Sequence, residues 1–121
     1  MDTTNLEQEI NLLHERICSA LGDRTRILIL YLLSNKNLFV NELAEALNLP
    51  QSTVSRHLKI LRDRNLVINN RQGNAVQYVL ADPRIIQSLD LLREILAEQI
   101  HSEAAITSST QEAIKSSTRS K

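Results

Sequence analysis

The sequence predicts a mainly α-helical chain in the order α-α-α-α-β-β-α, with two short helices coupled by a tight turn at its centre. Three observations predict this. Apolar residues recur three or four apart over most of the 121 residues. Aromatics are scarce, with one Phe, two Tyr and no Trp, so Leu, Ile, Val and Ala must build the interior. One stretch, Leu66 to Leu80, has apolar and β-branched ends around a polar middle with Gly73 at its tip, as a hairpin does. The length suggests a single domain with a modest core.

Taken in order, Asn5 to Leu21 reads as the first helix, with Leu6, Ile10, Leu13, Ile17 and Leu21 on one stripe. Thr3 or Thr4 caps its start and Gly22 ends it. Asp23 caps a second helix, Arg24 to Leu33, which is apolar nearly all round and is expected at the centre of the core. Ser34 to Asn37 is a polar break. Val40, Leu43, Ala44 and Leu47 then share one face of a third helix, and Val54, Leu58 and Leu61 share one face of a fourth. Asn48-Leu49-Pro50 joins the two. The fourth helix carries Gln51, Ser52, Thr53, Ser55, Arg56, His57 and Lys59 on its other face. Two helices, a tight turn and an exposed polar-basic second helix form the pattern of a helix-turn-helix that enters the major groove of DNA.

Leu66-Val67-Ile68 and Ala75 to Leu80 flank a Gln72-Gly73-Asn74 turn and read as a β-hairpin. A basic, Gly-tipped hairpin directly after a helix-turn-helix makes a winged helix. Asp82 and Pro83 start a last helix, expected to run to about Ser102, with Ile85, Leu89, Leu92, Leu96 and Ile100 on its stripe. The winged helix-turn-helix and dimerisation domain is thus expected over residues 1–105. Residues 106–121 are expected to form a disordered tail, because eight of the last fifteen residues are Ser or Thr. The first and last helices carry long aliphatic stripes outside the minimal winged helix. Packing across a two-fold axis would cover Leu6, Ile10, Leu13, Ile17, Leu89, Leu92 and Leu96 in a homodimer.

Formal net charge is zero, but its distribution is uneven. Met1 to Gly22 carries net −3, and Gln51 to Asn74 carries net +4. The positive charge therefore lies on the DNA-reading candidate and the wing, where it can neutralise phosphates. A lone cysteine, Cys18, excludes an intramolecular disulfide and points to a reducing compartment. No apolar run is long enough for a bilayer, so no membrane partner is expected. No Gly-rich phosphate loop, Ser-His-Asp set or paired carboxylates appear, so no enzyme and no cofactor are expected.

Four motifs in this order resemble the ArsR/SmtB family of bacterial winged-helix repressors. They are Ala20-Leu21-Gly22-Asp23-Arg24-Thr25-Arg26-Ile27, then Asn41-Glu42-Leu43-Ala44, then Ser52 to Leu58, and finally Gly73 with Tyr78. The resemblance covers roughly residues 12 to 100. It implies a homodimer that represses a promoter and is released by an inducer, in most branches a metal ion or metalloid. The family's metal positions are altered here. Phe39 and Asn41 stand where one branch has cysteines, and Arg84 and Ile95 stand where another has imidazoles beside Asp82 and Glu98. Zinc needs converging nitrogen or sulfur ligands, so neither metal site is expected.

The individual roles differ. Ser52 and Thr53 suit phosphate or base-edge contacts near a helix N-terminus. Arg56 suits bidentate guanine reading, and Gln51 suits adenine. Ser55 belongs to the same face. His57 reads a base or phosphate, or packs against the body. Lys59 and Arg62 reach phosphate or simply solvate the helix. Arg71, Gln72 and Asn74 on the wing touch phosphate or the minor groove. Cys18 is a buried structural thiol, a redox-reactive thiol or an intersubunit disulfide partner. His14 and His101 read as exposed helix residues, with a metal or haem site beside Cys18 as the lesser alternative. The expected function is a cytoplasmic, nucleoid-associated, homodimeric repressor on an inverted repeat of double-stranded DNA. The rivals are a non-inducible architectural DNA binder and a winged helix used for protein–protein interaction.

Overall fold

The computed structural model describes residues 3–119, with side chains described over 4–106. It has two units, Met1–Ile86 and Gln87–Lys121. The first holds the winged helix-turn-helix that the sequence predicts.

Its N-terminal helical segment is wound in three parts. An α-helix, α1 (Thr3–Leu13), passes into a π-helical turn (His14–Cys18) and then into a short α2 (Ser19–Leu21). The spacing alone predicts one uniform α-helix. In an α-helix, residues eight apart drift around the axis; a π turn takes more residues per revolution and brings Leu13, Ile17 and Leu21 closer to one line. Gly22 ends the segment, and Asp23, in extended backbone, caps α3 (Arg24–Asn35). Asp23 Oδ1 accepts the N–H groups of Thr25 (2.8 Å) and Arg26 (3.2 Å).

Helix α3 is buried along one side only. Ile29, Leu30 and Leu33 are in the core, while Leu28 stays 40% exposed. An all-round apolar sequence predicts burial all round, but one helix cannot be wrapped on every side in a domain of this size.

A two-residue strand, β1 (Leu38–Phe39), leads into α4 (Val40–Leu47). The Glu42 carboxylate accepts the Phe39 N–H at 2.9 Å, so one orphan donor at the helix start is satisfied. Helix α5 (Gln51–Asp63) follows. Both helices end in the same way. Asn48 takes a left-handed φ of 55° after α4, and Asn65 takes 60° after α5. Leu49 N–H then donates to Ala44 C=O (3.0 Å), and Leu66 N–H donates to Leu61 C=O (2.9 Å). With the Asn48-to-Glu45 and Asn65-to-Arg62 bonds, each end is a Schellman motif with Asn where Gly is usual. Pro50 prevents α4 from continuing.

The hairpin pairs β2 (Val67–Gln72) with β3 (Ala75–Leu80) in antiparallel register, Gln72 opposite Ala75. Gly73 opens its two-residue turn at φ 62°, which a side chain would strain. Strand β1 adds to the other edge of β3, with Leu38 opposite Tyr78 and Phe39 opposite Gln77, giving the order β1-β3-β2. The core of this unit gathers Ile29, Leu30, Leu43, Val54, Leu58, Leu61 and Val67, all essentially inaccessible.

The last helix, α6 (Arg84–Arg119), extends well past the expected end near Ser102. Asp82 caps it by accepting the Arg84 N–H at 2.9 Å, with Pro83 in the first turn. Leu89 is buried at 7% exposure, and every described side chain from Leu91 to Ile106 is exposed. The disordered tail expected over 106–121 falls mostly on residues whose side chains lie outside those described, and its last two residues lie outside altogether.

Candidate nucleic-acid interface

Helix α5 is held from below by Val54, Leu58 and Leu61, which have no accessible surface. Their 4- and 3-residue spacing turns the remaining positions outward. Gln51, Ser52, Ser55, Arg56 and Lys59 are exposed, and Thr53 and His57 are half-buried at the edge. Pro50 precedes the helix and has no side-chain acceptor, so the first N–H groups of α5 are left uncapped. A helix start in that state favours phosphate.

The charges on the exposed face are not equivalent. Lys59 Nζ lies 3.3 Å from Asp63 Oδ2, and Arg62 lies 3.9 Å from the same carboxylate. Both pairs are well exposed and add little to stability. Their effect is to mute two of the positive charges on the C-terminal half of α5. Among the described residues Arg56 has no ion pair, so its guanidinium remains available for a bidentate contact. On the wing, Arg71, Gln72 and Asn74 are exposed around the Gly73 turn.

His57 faces inward. Its Nδ1 lies 3.3 Å from Nη1 of Arg26 on α3. Arg26 also donates through Nε to Ala20 C=O (2.6 Å) and through Nη2 to Ser19 C=O (3.3 Å). Sequence reasoning assigns Arg26 no individual role; it is one basic residue in a helix start, and its acceptors are six, seven and thirty-one positions away. The Asp23 carboxyl beside it is held below its ordinary value. Burial pushes it up, but the backbone N–H groups of Arg26 and Thr25 and the nearby His57 and Arg26 outweigh that.

The residues expected at a dimer interface are exposed in the single chain, with Leu89 the exception. Leu6, Ile10, Leu13 and Ile17 on the N-terminal segment are 36–50% exposed, and Leu92 (60%) and Leu96 (53%) on α6 are more exposed still. Leu89 is buried within the single chain. Cys18 is exposed, so the single chain does not bury it as a structural thiol. His14 and His101 are exposed.

The altered metal positions are occupied by other chemistry. Arg84 grips the Asp82 carboxylate with Nε at 3.1 Å and Nη2 at 2.6 Å. These side-chain bonds, followed by the Arg84 N–H, hold Asp82 down at about 2. Among the described residues no three His, Cys, Asp or Glu side chains gather closely enough for a metal ion. Among them, too, no helix is long and apolar enough to cross a membrane.

Comparison with known proteins places this geometry. The sequence profile described as "bacterial regulatory protein, arsR family" matches residues 23–69, which run from the α3 cap through α4 and α5 into β2. The HTH-type transcriptional regulator NmtR of Mycobacterium tuberculosis is 42% identical over 71 residues, 59% of this chain and 59% of NmtR. The HTH-type transcriptional regulator CmtR of the same species is 39% identical over 83 residues, 68% of this chain and 70% of CmtR. The match therefore spans little more than half of NmtR. Among solved structures, the homodimeric winged helix-turn-helix DNA-binding domain of Mb0332 from Mycobacterium bovis, a possible ArsR-family regulator, superposes with a TM-score of 0.69. It covers 78% of this chain and 86% of that domain at 24% identity, a likeness of fold.

Proposed function

We propose, for a chain that belongs to the ArsR family of bacterial regulatory proteins, the function of a sequence-specific DNA-binding transcriptional repressor. Its relatives are transcription regulators, not enzymes. The observation that carries the reading is the two-sided α5: an underside with no accessible surface and an outer face of Gln51, Ser52, Ser55 and Arg56. Arg56 and its neighbours read base edges in the major groove, while Arg71 and Asn74 on the wing hold the flanking backbone. Lys59, already paired to Asp63, contributes to phosphate attraction more weakly than its charge implies.

The active form in this reading is a homodimer on an inverted repeat. Support comes from the exposed stripes of the N-terminal segment and of α6, which leave Leu13, Ile17, Leu92 and Leu96 in water. Leu89 is buried and adds nothing to that exposed stripe. Release comes from an effector other than a metal at the family's altered positions. Exposed Cys18, at the end of the π turn, is the residue to test for oxidant response. Such a repressor acts in the cytoplasm, on the nucleoid.

Selection of bound duplexes from a random pool tests the reading, repeated with reduced and oxidised protein. An inverted repeat is the expected outcome. Arg56→Ala should lose about 1–3 kcal/mol of base discrimination, and wild-type binding should weaken steeply with salt. No duplex binding at low salt would exclude the repressor reading and favour a protein-binding winged helix.

A further inference from the structure

We propose that Arg26 is a positioning residue that ties the end of the N-terminal helical segment to the flank of α5, and so sets the pose in which α5 meets DNA. This rests on the DNA-binding reading above. The tie is a three-way fork. Nε and Nη2 of one guanidinium hold the carbonyls of Ala20 and Ser19, and Nη1 meets His57 Nδ1. Each end has a physical cause. The last carbonyls of a helical segment have no acceptor duties inside it and attract a cation. The segment stops at Gly22, where the backbone turns away and leaves those carbonyls open to Arg26.

The third contact dictates the state of His57. A guanidinium only donates, so Nδ1 must accept, and the ring then carries its proton on Nε2. His57 is committed to Arg26 on this side, next to Arg56, the best-placed base reader. Apolar contacts through Val54, Leu58 and Leu61 fix how deep α5 sits, but they are non-directional. A planar fork with fixed donor directions restrains rotation and sliding, which apolar contacts do not. Asp23 keeps the fork in place by accepting the backbone N–H of Arg26 itself. His57 therefore acts on DNA through the pose of its neighbours, and Arg26 acts without touching DNA.

The test uses the full chain with Arg26→Gln, His57→Leu, the conservative His57→Gln and the double variant R26Q/H57L. Without DNA, nitrogen NMR of the His57 ring should show an unprotonated Nδ1 and a protonated Nε2 in the wild type, and this signature should change in R26Q. With DNA, His57→Leu and Arg26→Gln should each lose about tenfold or more in affinity for the selected duplex, as loss of a charge-assisted contact does. Binding to random duplex should stay near wild type. The loss should spread over all positions of the half-site, His57→Gln should restore most of it, and the double variant should lose no more than either single change.

Should Arg26→Gln fail to fold, His57→Leu breaks the same tie and leaves the fork on Ser19 and Ala20 intact. Loss of preference at a single base pair in H57L, with R26Q like wild type, would make His57 a base reader and overturn the proposal. Equal loss on random duplex in R26Q would make Arg26 a phosphate contact and overturn it as well. A wild type that binds no duplex but keeps the ring signature removes the DNA reading, and the pose claim with it. A ring protonated on Nδ1 removes the tie itself, whatever the DNA result.

Discussion

Two helices of the same unit carry apolar stripes of similar spacing and put them to opposite use. In α5, Val54, Leu58 and Leu61 vanish into the core. In the N-terminal segment, Leu6, Ile10, Leu13 and Ile17 all remain in water. The difference teaches what periodicity means. A stripe every three or four residues says that a helix has a face to bury, and nothing in the stripe names the surface that buries it. Helix α5 has its partner within the chain, because α3 and α4 pack against it. Among the described residues the N-terminal stripe stays exposed, which is why a second copy is the proposed occupant.

The largest effect expected from this contrast is on stability. Leu58→Ala empties a fully buried position and should cost about 2–5 kcal/mol in chemical denaturation. The matching change at exposed Leu13 in a dilute, monomeric sample should cost under about 0.5 kcal/mol. Comparable losses at both sites would mean that the N-terminal stripe is buried after all.

Next comes assembly. Leu13→Asp places a charge in the exposed stripe and should shift sedimentation from dimer to monomer at micromolar protein, with circular dichroism unchanged. Its penalty of roughly 2–3 kcal/mol is that of a buried unpaired charge reduced by partial exposure. A variant that stays dimeric would place the interface elsewhere.

A smaller effect tests the turn that aims α5. Asn48→Ala forces a side chain without local hydrogen-bonding ability into a left-handed backbone, costing about 1 kcal/mol. Asn65→Ala should cost a similar amount, as its geometry is the same. Thermal melts measure both, and a neutral result would mean that the Asn side chains contribute nothing to these caps.

The smallest concerns the α6 cap. The Arg84 guanidinium and N–H hold the Asp82 carboxyl down from an ordinary 3.8 to about 2. A depressed carboxyl contributes above its unfolded value and loses that contribution as pH falls toward about 2. Carbon NMR of the Asp82 carboxyl should show a midpoint near 2 in the wild type, rising toward 3.8 in Arg84→Ala. An unchanged midpoint would remove Arg84 as the main cause. Salt should weaken the effect, because the pair is exposed.

Much of the fold is legible in the residues. The α5 underside, the Asp23 and Asp82 caps and the Gly73 hairpin follow from local rules, and each sits where the sequence places it. Strand β1 was not legible, since two residues carry no period and their partners Gln77 and Tyr78 lie about forty positions away. Nor was the half-burial of α3, because a helix apolar on all sides does not say which side will be covered. In the candidate site, exposure of Gln51, Ser52, Ser55 and Arg56 follows from spacing. The inward turn of His57 does not, since its cause is Arg26 on another helix.

By itself, then, the sequence determined where the main helices and the hairpin lie, which face of α5 is polar, and where the positive charge lies. These depend on neighbours within about four residues, whose spacing and backbone preferences act locally. Tertiary structure alone decided which stripes find cover, and that Arg26 joins Ser19 and Ala20 to His57. Those outcomes depend on which distant surfaces and donors meet in space, and on three acceptors converging within reach of one guanidinium.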